Sequence, residues 1–440
     1  MDFDNLIAER INDPSGLERL YRTSPEQFTA SFSKVFSAHP ESITLKVWNE
    51  RLNFKSADGA TTFLPEKKIS RIFVVILLAL LAGFIMDLPK VFKSIETAFP
   101  GSSFYFSVLP ALSAYFIIKN WPVKKITIYI ITGLFIISYL YIEMLPAGEP
   151  HPYSTTGMVN AADIFFDNHS DSIRLAYAHM PFFLWSLVGL AFIGMDFRNI
   201  SKRMDYLRYN GEAIIYTAII LICGIILTLL TWALFEVIKV SVMDFYEHVI
   251  IYGTAASFIV ATYLTEIMGK ISKSIAPIIA KIFSPLVLIT LLGYLITIII
   301  LRKNPYNDRE FLITFNVMLV SVLAITIFAI SERGRVDSKT ANDYIIASLV
   351  LVALIIDAIA LSAIAFRLAS YGVTPNRIAV LGANILIFIN LLGIVINYAR
   401  FFIRRHPITS VEVLISQYLP VYSGWTVVIT FGFPFIFSFK

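Results

Sequence analysis

Long apolar runs separated by short polar segments fill the chain from about residue 69 to its C-terminus. A run of about 18 or more mostly apolar residues has the length of a helix that crosses a bilayer. Such runs recur at 69–86, 102–118, 126–145, 177–195, 213–235, 248–268, 282–301, 311–330, 344–366, 378–399 and 418–438. The pattern predicts an all-α fold, a polytopic transmembrane helix bundle of about 11 spans. The second run is the shortest. The last carries Pro420, Gly424, Gly432 and Pro434, which predict a kinked or re-entrant segment.

The first 65 residues follow a different pattern. They are polar and show no basic start leading into an apolar core, so no secretory signal is expected. Ser24-Pro25-Glu26-Gln27 predicts an N-cap, a proline at N1 and a capping-box glutamine. Phe28, Phe32, Val35 and Phe36 then recur at helical spacing, and Leu45, Trp48 and Leu52 form a second stripe. The chain therefore divides into a small helical cytoplasmic domain, 1–65, and a transmembrane helical domain, 66–440. A unit of about 65 residues has a marginal core, so 1–65 is expected to dock on the membrane domain or on a cytoplasmic protein partner.

Composition agrees with the pattern. The chain is 57% hydrophobic and 15% charged, against about 25% charged in soluble domains. The lipid bilayer is thus the expected solvent and partner. With the N-terminus inside, the cytoplasmic flanks of the runs hold nineteen Lys and Arg and the outer flanks ten. That bias places the N-terminus in the cytoplasm and, with an odd number of spans, the C-terminus outside. The loop at 302–310 opposes it. The net charge of +5 follows from this bias and from anionic lipid contact, so no nucleic-acid partner is expected. The single cysteine, Cys223, excludes an intrachain disulfide and is expected as a buried structural thiol.

The chemistry concentrates in the hairpin 344–399. Asp357 interrupts an apolar helix, and ionisable groups in hydrocarbon are costly enough to mark functional sites. Measured from Phe366, it lies about 13 Å below the outer surface, level with Asn384 on the next helix. The two are expected to meet, with Asn390 and Asn397 continuing a loose stripe. One reading is a substrate or proton site between the helices; the other is an interhelical polar clamp worth around 1 kcal/mol. The turn Tyr371-Gly372-Val373-Thr374-Pro375-Asn376-Arg377 combines a glycine suited to positive φ, a Thr374 N-cap and Pro375 at N1. Arg367 and Arg377 bracket its mouth, where they suit an anionic head group or acidic partners.

Other polar positions carry less. His151, Asp167, His169, Asp171 and His179 have mixed metal-ligand chemistry without the fixed spacing of a known site, so a metal there is the weaker alternative to an acidic, solvated loop. His179 also suits a proton relay. The charged segment 196–212 reads as an interfacial loop with salt bridges and lipid contacts, and Glu266 as a residue reaching the interface. The sequence lacks a Walker lysine, a dinucleotide glycine fingerprint, a nucleophile elbow and a cysteine zinc pattern, so neither a cofactor nor an enzyme activity is indicated. No internal repeat of the kind common in transporters is evident.

Several segments resemble a family of polytopic bacterial inner-membrane proteins known only as a domain of unknown function. They are 178–190, 206–212, 305–312, 371–377 and 418–425, with Tyr371-Gly-Val-Thr-Pro-Asn-Arg377 the most specific. The resemblance covers roughly 70–440 and implies a bacterial inner-membrane location and no particular chemistry. Three functional classes stand: a transporter or permease-like protein with Asp357 as proton or cation carrier, a membrane sensor or assembly scaffold, and a membrane-embedded enzyme acting on a lipid-linked substrate.

Overall fold

A computed structural model describes residues 3–53, 65–91, 102–146, 170–237, 243–271, 276–300, 309–333, 339–404 and 406–439. Every regular element among the described residues is helical. The chain divides into two compact units, Met1–Arg71 and Ile72–Lys440.

The first unit contains α1 (Phe3–Ala8), α2 (Pro14–Thr23), α3 (Pro25–Ala38) and α4 (Ile43–Asn53). Its core is Ile7, Leu17, Phe28, Phe32, Val35, Leu45 and Trp48, the two stripes of the sequence with α1 and α2 added. Arg51 stacks over Trp48 at 4.3 Å and pairs with Glu18. The expected cap at Ser24 does not form: α3 starts at Pro25, but the Ser24 hydroxyl makes no capping bond. Asp13 caps α2 instead, accepting from the Gly16 N–H at 3.0 Å.

The second unit runs from Ile72 within α5 (Pro65–Val91) through α6 (Ser102–Lys119), α7 (Lys125–Met144), α8 (Asp171–Ile193), α9 (Ile200–Val237), α10 (Met243–Ile271), α11 (Ala276–Ile300), α12 (Arg309–Ser331), α13 (Ala341–Tyr371), α14 (Pro375–Arg404), α15 (Thr409–Val427), a π-helical turn (Val428–Gly432) and α16 (Phe433–Ile436). All eleven apolar runs fall on helices, and eight helices among the described residues are long and apolar enough to cross a membrane. Ile214, Ile222, Ile225 and Leu227 on α9 are each more than half exposed. A helix apolar on its outer faces and unburied by protein needs hydrocarbon around it. Cys223 is exposed on the same helix and is no core thiol.

Two cores fill this unit. One joins α5–α8 with Tyr206, Tyr209, Ala255 and Ile259. The other joins α11–α15 with Met204 and Leu207. The first turns of α9 therefore lie between them, and 200–212, expected as a loop, is helix.

Helix ends explain where many cations go. The last carbonyls of a helix lack N–H donors, and cations satisfy them well. Arg208 donates through Nε and Nη2 to the Ser331 carbonyl ending α12, at 3.1 and 2.6 Å. Lys339 donates to the Phe402 carbonyl at 2.9 Å. Asn120 donates to the Ala191 and Phe192 carbonyls ending α8. Glu266 pairs with Lys119 at 3.4 Å and accepts from the Tyr115 hydroxyl at 2.7 Å, so it is held within the bundle and does not reach out of it. These contacts gather Lys119, Asn120, Ala191, Phe192, Arg208, Glu266, Ser331, Lys339 and Phe402 at one basic end. The opposite end holds the Asp87–His248 pair at 2.7 Å and the Tyr141 bond to the Thr430 carbonyl at 2.9 Å.

Candidate functional site

The hairpin α13–α14 begins at a well-fixed helix start. Thr340 and Asp343 form a capping box, and Arg333 donates to both Asp343 oxygens while stacking over Phe401. From there Ile346, Leu349, Val350, Ala353, Ile356, Asp357, Ala360, Ala363 and Ile364 are buried at three- and four-residue spacing. Asp357 thus occupies a position in the core-facing stripe where the helical period calls for an apolar side chain.

The helix continues to Tyr371, five residues beyond the end expected from hydropathy. Asp357 is then about 21 Å from the end of α13, near its midpoint. Asn384 lies about 14 Å from the start of α14 and Asn390 about 22 Å. The residue level with Asp357 is therefore Asn390. Asn384 instead donates to Asn316 Oδ1 on α12 at 2.9 Å, so the expected bond to Asp357 is not made. Asn397 donates to the Gly393 carbonyl of its own helix, which ends the expected stripe.

Asp357 is fully buried, and among the described residues neither carboxylate oxygen has a hydrogen-bond partner. Asn390 is equally buried; its Nδ2 donates to Tyr422 Oη on α15 at 2.8 Å, and its Oδ1 has no partner among the described residues. Tyr422 lies within electrostatic range of Asp357. Three helices thus bring a carboxylate, an amide and a phenol to a similar depth of the bundle, with three acceptor oxygens unsatisfied among the described residues. Tyr422 had no local sequence signal; it sits in one of several aromatic positions of the last apolar run.

α15 approaches closely because α14 carries glycines at the contact. A Cβ on Gly382 would lie 2.1 Å from the Trp425 ring, and one on Gly393 would meet Leu414 at 2.7 Å. Pro420 lacks an N–H, which leaves the Ser416 carbonyl without its helical donor. Arg203 Nη1 from α9 donates to that oxygen at 2.9 Å. Tyr422 also lines a cavity of about 630 Å³ between α7, α8 and α15.

The turn matches the sequence reading: Gly372 has φ +79°, and the Thr374 hydroxyl accepts from the Arg377 N–H at 3.4 Å. The arginines do something other than bracket an open mouth. Both lie over the Tyr371 ring, Arg367 at 5.9 Å and Arg377 at 5.7 Å. Arg377 Nη1 also donates to the Tyr371 and Gly372 carbonyls, capping α13.

Of the metal candidates, His151, Asp167 and His169 lie outside the described residues. Asp171 opens α8 and His179 lies two turns along it, with Nδ1 bonded to the Leu175 carbonyl at 2.9 Å. Among the described residues no three His, Cys, Asp or Glu groups converge. No protein-family model matches the chain, and no match to a curated protein or a solved structure was found.

Proposed function

We propose that this integral membrane protein is transporter- or permease-like, with Asp357 as its proton or cation carrier. The observation that carries the reading is a fully buried carboxylate at a helix midpoint with both oxygens unpartnered. An interhelical clamp requires hydrogen bonds to that group, and none is made among the described residues. Charge on Asp357 must instead be matched by a bound proton or cation, because an isolated ion in hydrocarbon costs several kcal/mol. In this reading the protein has about 11 spans in a bacterial inner membrane. The basic end faces the cytoplasm, where Lys and Arg accumulate, and the C-terminus lies outside.

Proteoliposomes adsorbed on a sensor and exposed to a pH jump provide the test. Wild-type protein is expected to give a transient current that Asp357→Asn lacks. Equal currents from both would refute the carrier role.

The N-terminal unit favours a second reading, a sensor or scaffold. It has its own core, and Ile43 and Val47, one turn apart on α4, are 78% and 62% exposed. Deleting 1–65 is expected to abolish partner capture and spare the pH-jump current under this reading.

A further inference from the structure

The cavity lined by Tyr422 has the features of a hydrocarbon site. It runs along α8 from Phe182 to Ile193, about 17 Å, close to half the hydrocarbon thickness of a bilayer of about 30 Å. Its rim residues Ile137, Phe182 and Val427 are 60%, 55% and 40% exposed, so it opens sideways toward lipid. The hydroxyl groups on its wall already have partners. Ser186 bonds to Ser423 at 2.9 Å, Ser138 to the Leu134 carbonyl at 2.7 Å, and Tyr206 to the Trp185 carbonyl at 2.8 Å. Apart from the Arg203 guanidinium, whose Nε lacks a partner among the described residues, the wall asks for no hydrogen bonds, which suits an alkyl chain.

One end of this groove is basic. Ile193 lines both it and a second, more polar cavity of about 710 Å³ that holds Lys119, Lys124, Lys202, Asp196 and Asp205. Four of these charges are engaged: Lys119 with Glu266, Lys202 with Asp196, and Asp205 with Arg208. Lys124 is in none of the salt bridges among the described residues, whereas Arg203 on the groove wall already donates to the Ser416 and Phe197 carbonyls. Lys124 and the half-exposed Lys202, together at the mouth of an apolar groove, complement one anionic head group.

The geometry points to a bound anionic phospholipid, one acyl chain in the groove between α7, α8 and α15 and its phosphate at the Lys124–Lys202 end. The chain enters laterally from the bilayer. The phosphate meets Lys124 and shares Lys202 with Asp196. This site does not depend on Asp357 carrying charge.

Trp185 lines the groove, which permits a direct test in vesicles of phosphatidylglycerol or phosphatidylcholine with brominated acyl chains. Brominated phosphatidylglycerol is expected to quench wild-type fluorescence more strongly than brominated phosphatidylcholine. Trp185→Phe is expected to lose that difference. The double variant Lys124→Gln/Lys202→Gln is expected to weaken retention of phosphatidylglycerol through detergent exchange about tenfold, a change of about 1.4 kcal/mol. Equal quenching by the two lipids in the wild type would overturn the site, as would a difference that survives Trp185→Phe. Retention unchanged in the double variant would overturn the assigned phosphate position. The quenching comparison uses folded wild-type protein, so it stands even where a variant fails to fold.

Discussion

Asn390 Nδ2 donates to Tyr422 Oη at 2.8 Å, joining α14 to α15 inside a mostly apolar core. Tyr422→Phe removes the acceptor and strands a buried amide. That change is expected to cost about 1–3 kcal/mol, read as a lower melting temperature in detergent. Adding Asn390→Leu is expected to recover part of the loss, because an apolar pair no longer leaves a polar group bare.

Gly382 faces the Trp425 ring, and a Cβ there would sit 2.1 Å from it. The indole is rigid, so Gly382→Ala has to push α14 and α15 apart. A loss of about 1–3 kcal/mol is expected. Combining it with Trp425→Leu should restore much of the stability if the clash is the cause.

Glu332, just past α12, supplies a pH dependence. Burial pushes its carboxyl up from an ordinary 4.5 to about 7; Arg208 at 3.5 Å opposes this and Glu212 adds to it. The folded chain therefore binds this proton more tightly than the unfolded chain. Stability falls as pH rises from about 4.5 to about 7, and the penalty is complete above that. At about 1.36 kcal/mol per pH unit the penalty is about 3 kcal/mol. Glu332→Gln is expected to flatten the stability profile across that window, measured by thermal unfolding between pH 4.5 and 8. An unchanged slope would assign it to other groups.

Arg203 donates to the Ser416 carbonyl that Pro420 leaves without a helical donor. Arg203→Ala strands that oxygen and is expected to cost about 1–3 kcal/mol. Arg203→Ala with Pro420→Ala should be less harmful than Arg203→Ala alone, because alanine returns the missing N–H.

Hydropathy made the helices legible, and the helical stripe exposed Asp357 as an intruder. The Gly372 turn and Thr374 cap were readable because they depend on residues within a few positions. The level of Asp357 was not, since the amphipathic tail 367–371 extends α13 past its apolar run. Five residues of helix shift the register by about 7 Å, enough to exchange Asn384 for Asn390. Asn316 and Tyr422 come from other helices, and nothing near them in sequence marks them as partners. The cations at the basic end read as lipid contacts, whereas many of them serve carbonyls at helix ends, a role set by packing.

The central claim is that Asp357 exchanges a proton or cation and is not a structural fastener. Hydrophobic carbodiimides modify protonated carboxyls from within the bilayer, so their reaction with the protein in lipid nanodiscs, mapped by peptide mass spectrometry, tests it most directly. Modification is expected at Asp357, falling as pH rises, and Asp357→Asn is expected to remain folded without that label. An unlabelled Asp357 at every pH, together with an Asp357→Asn variant that fails to fold, would contradict the account.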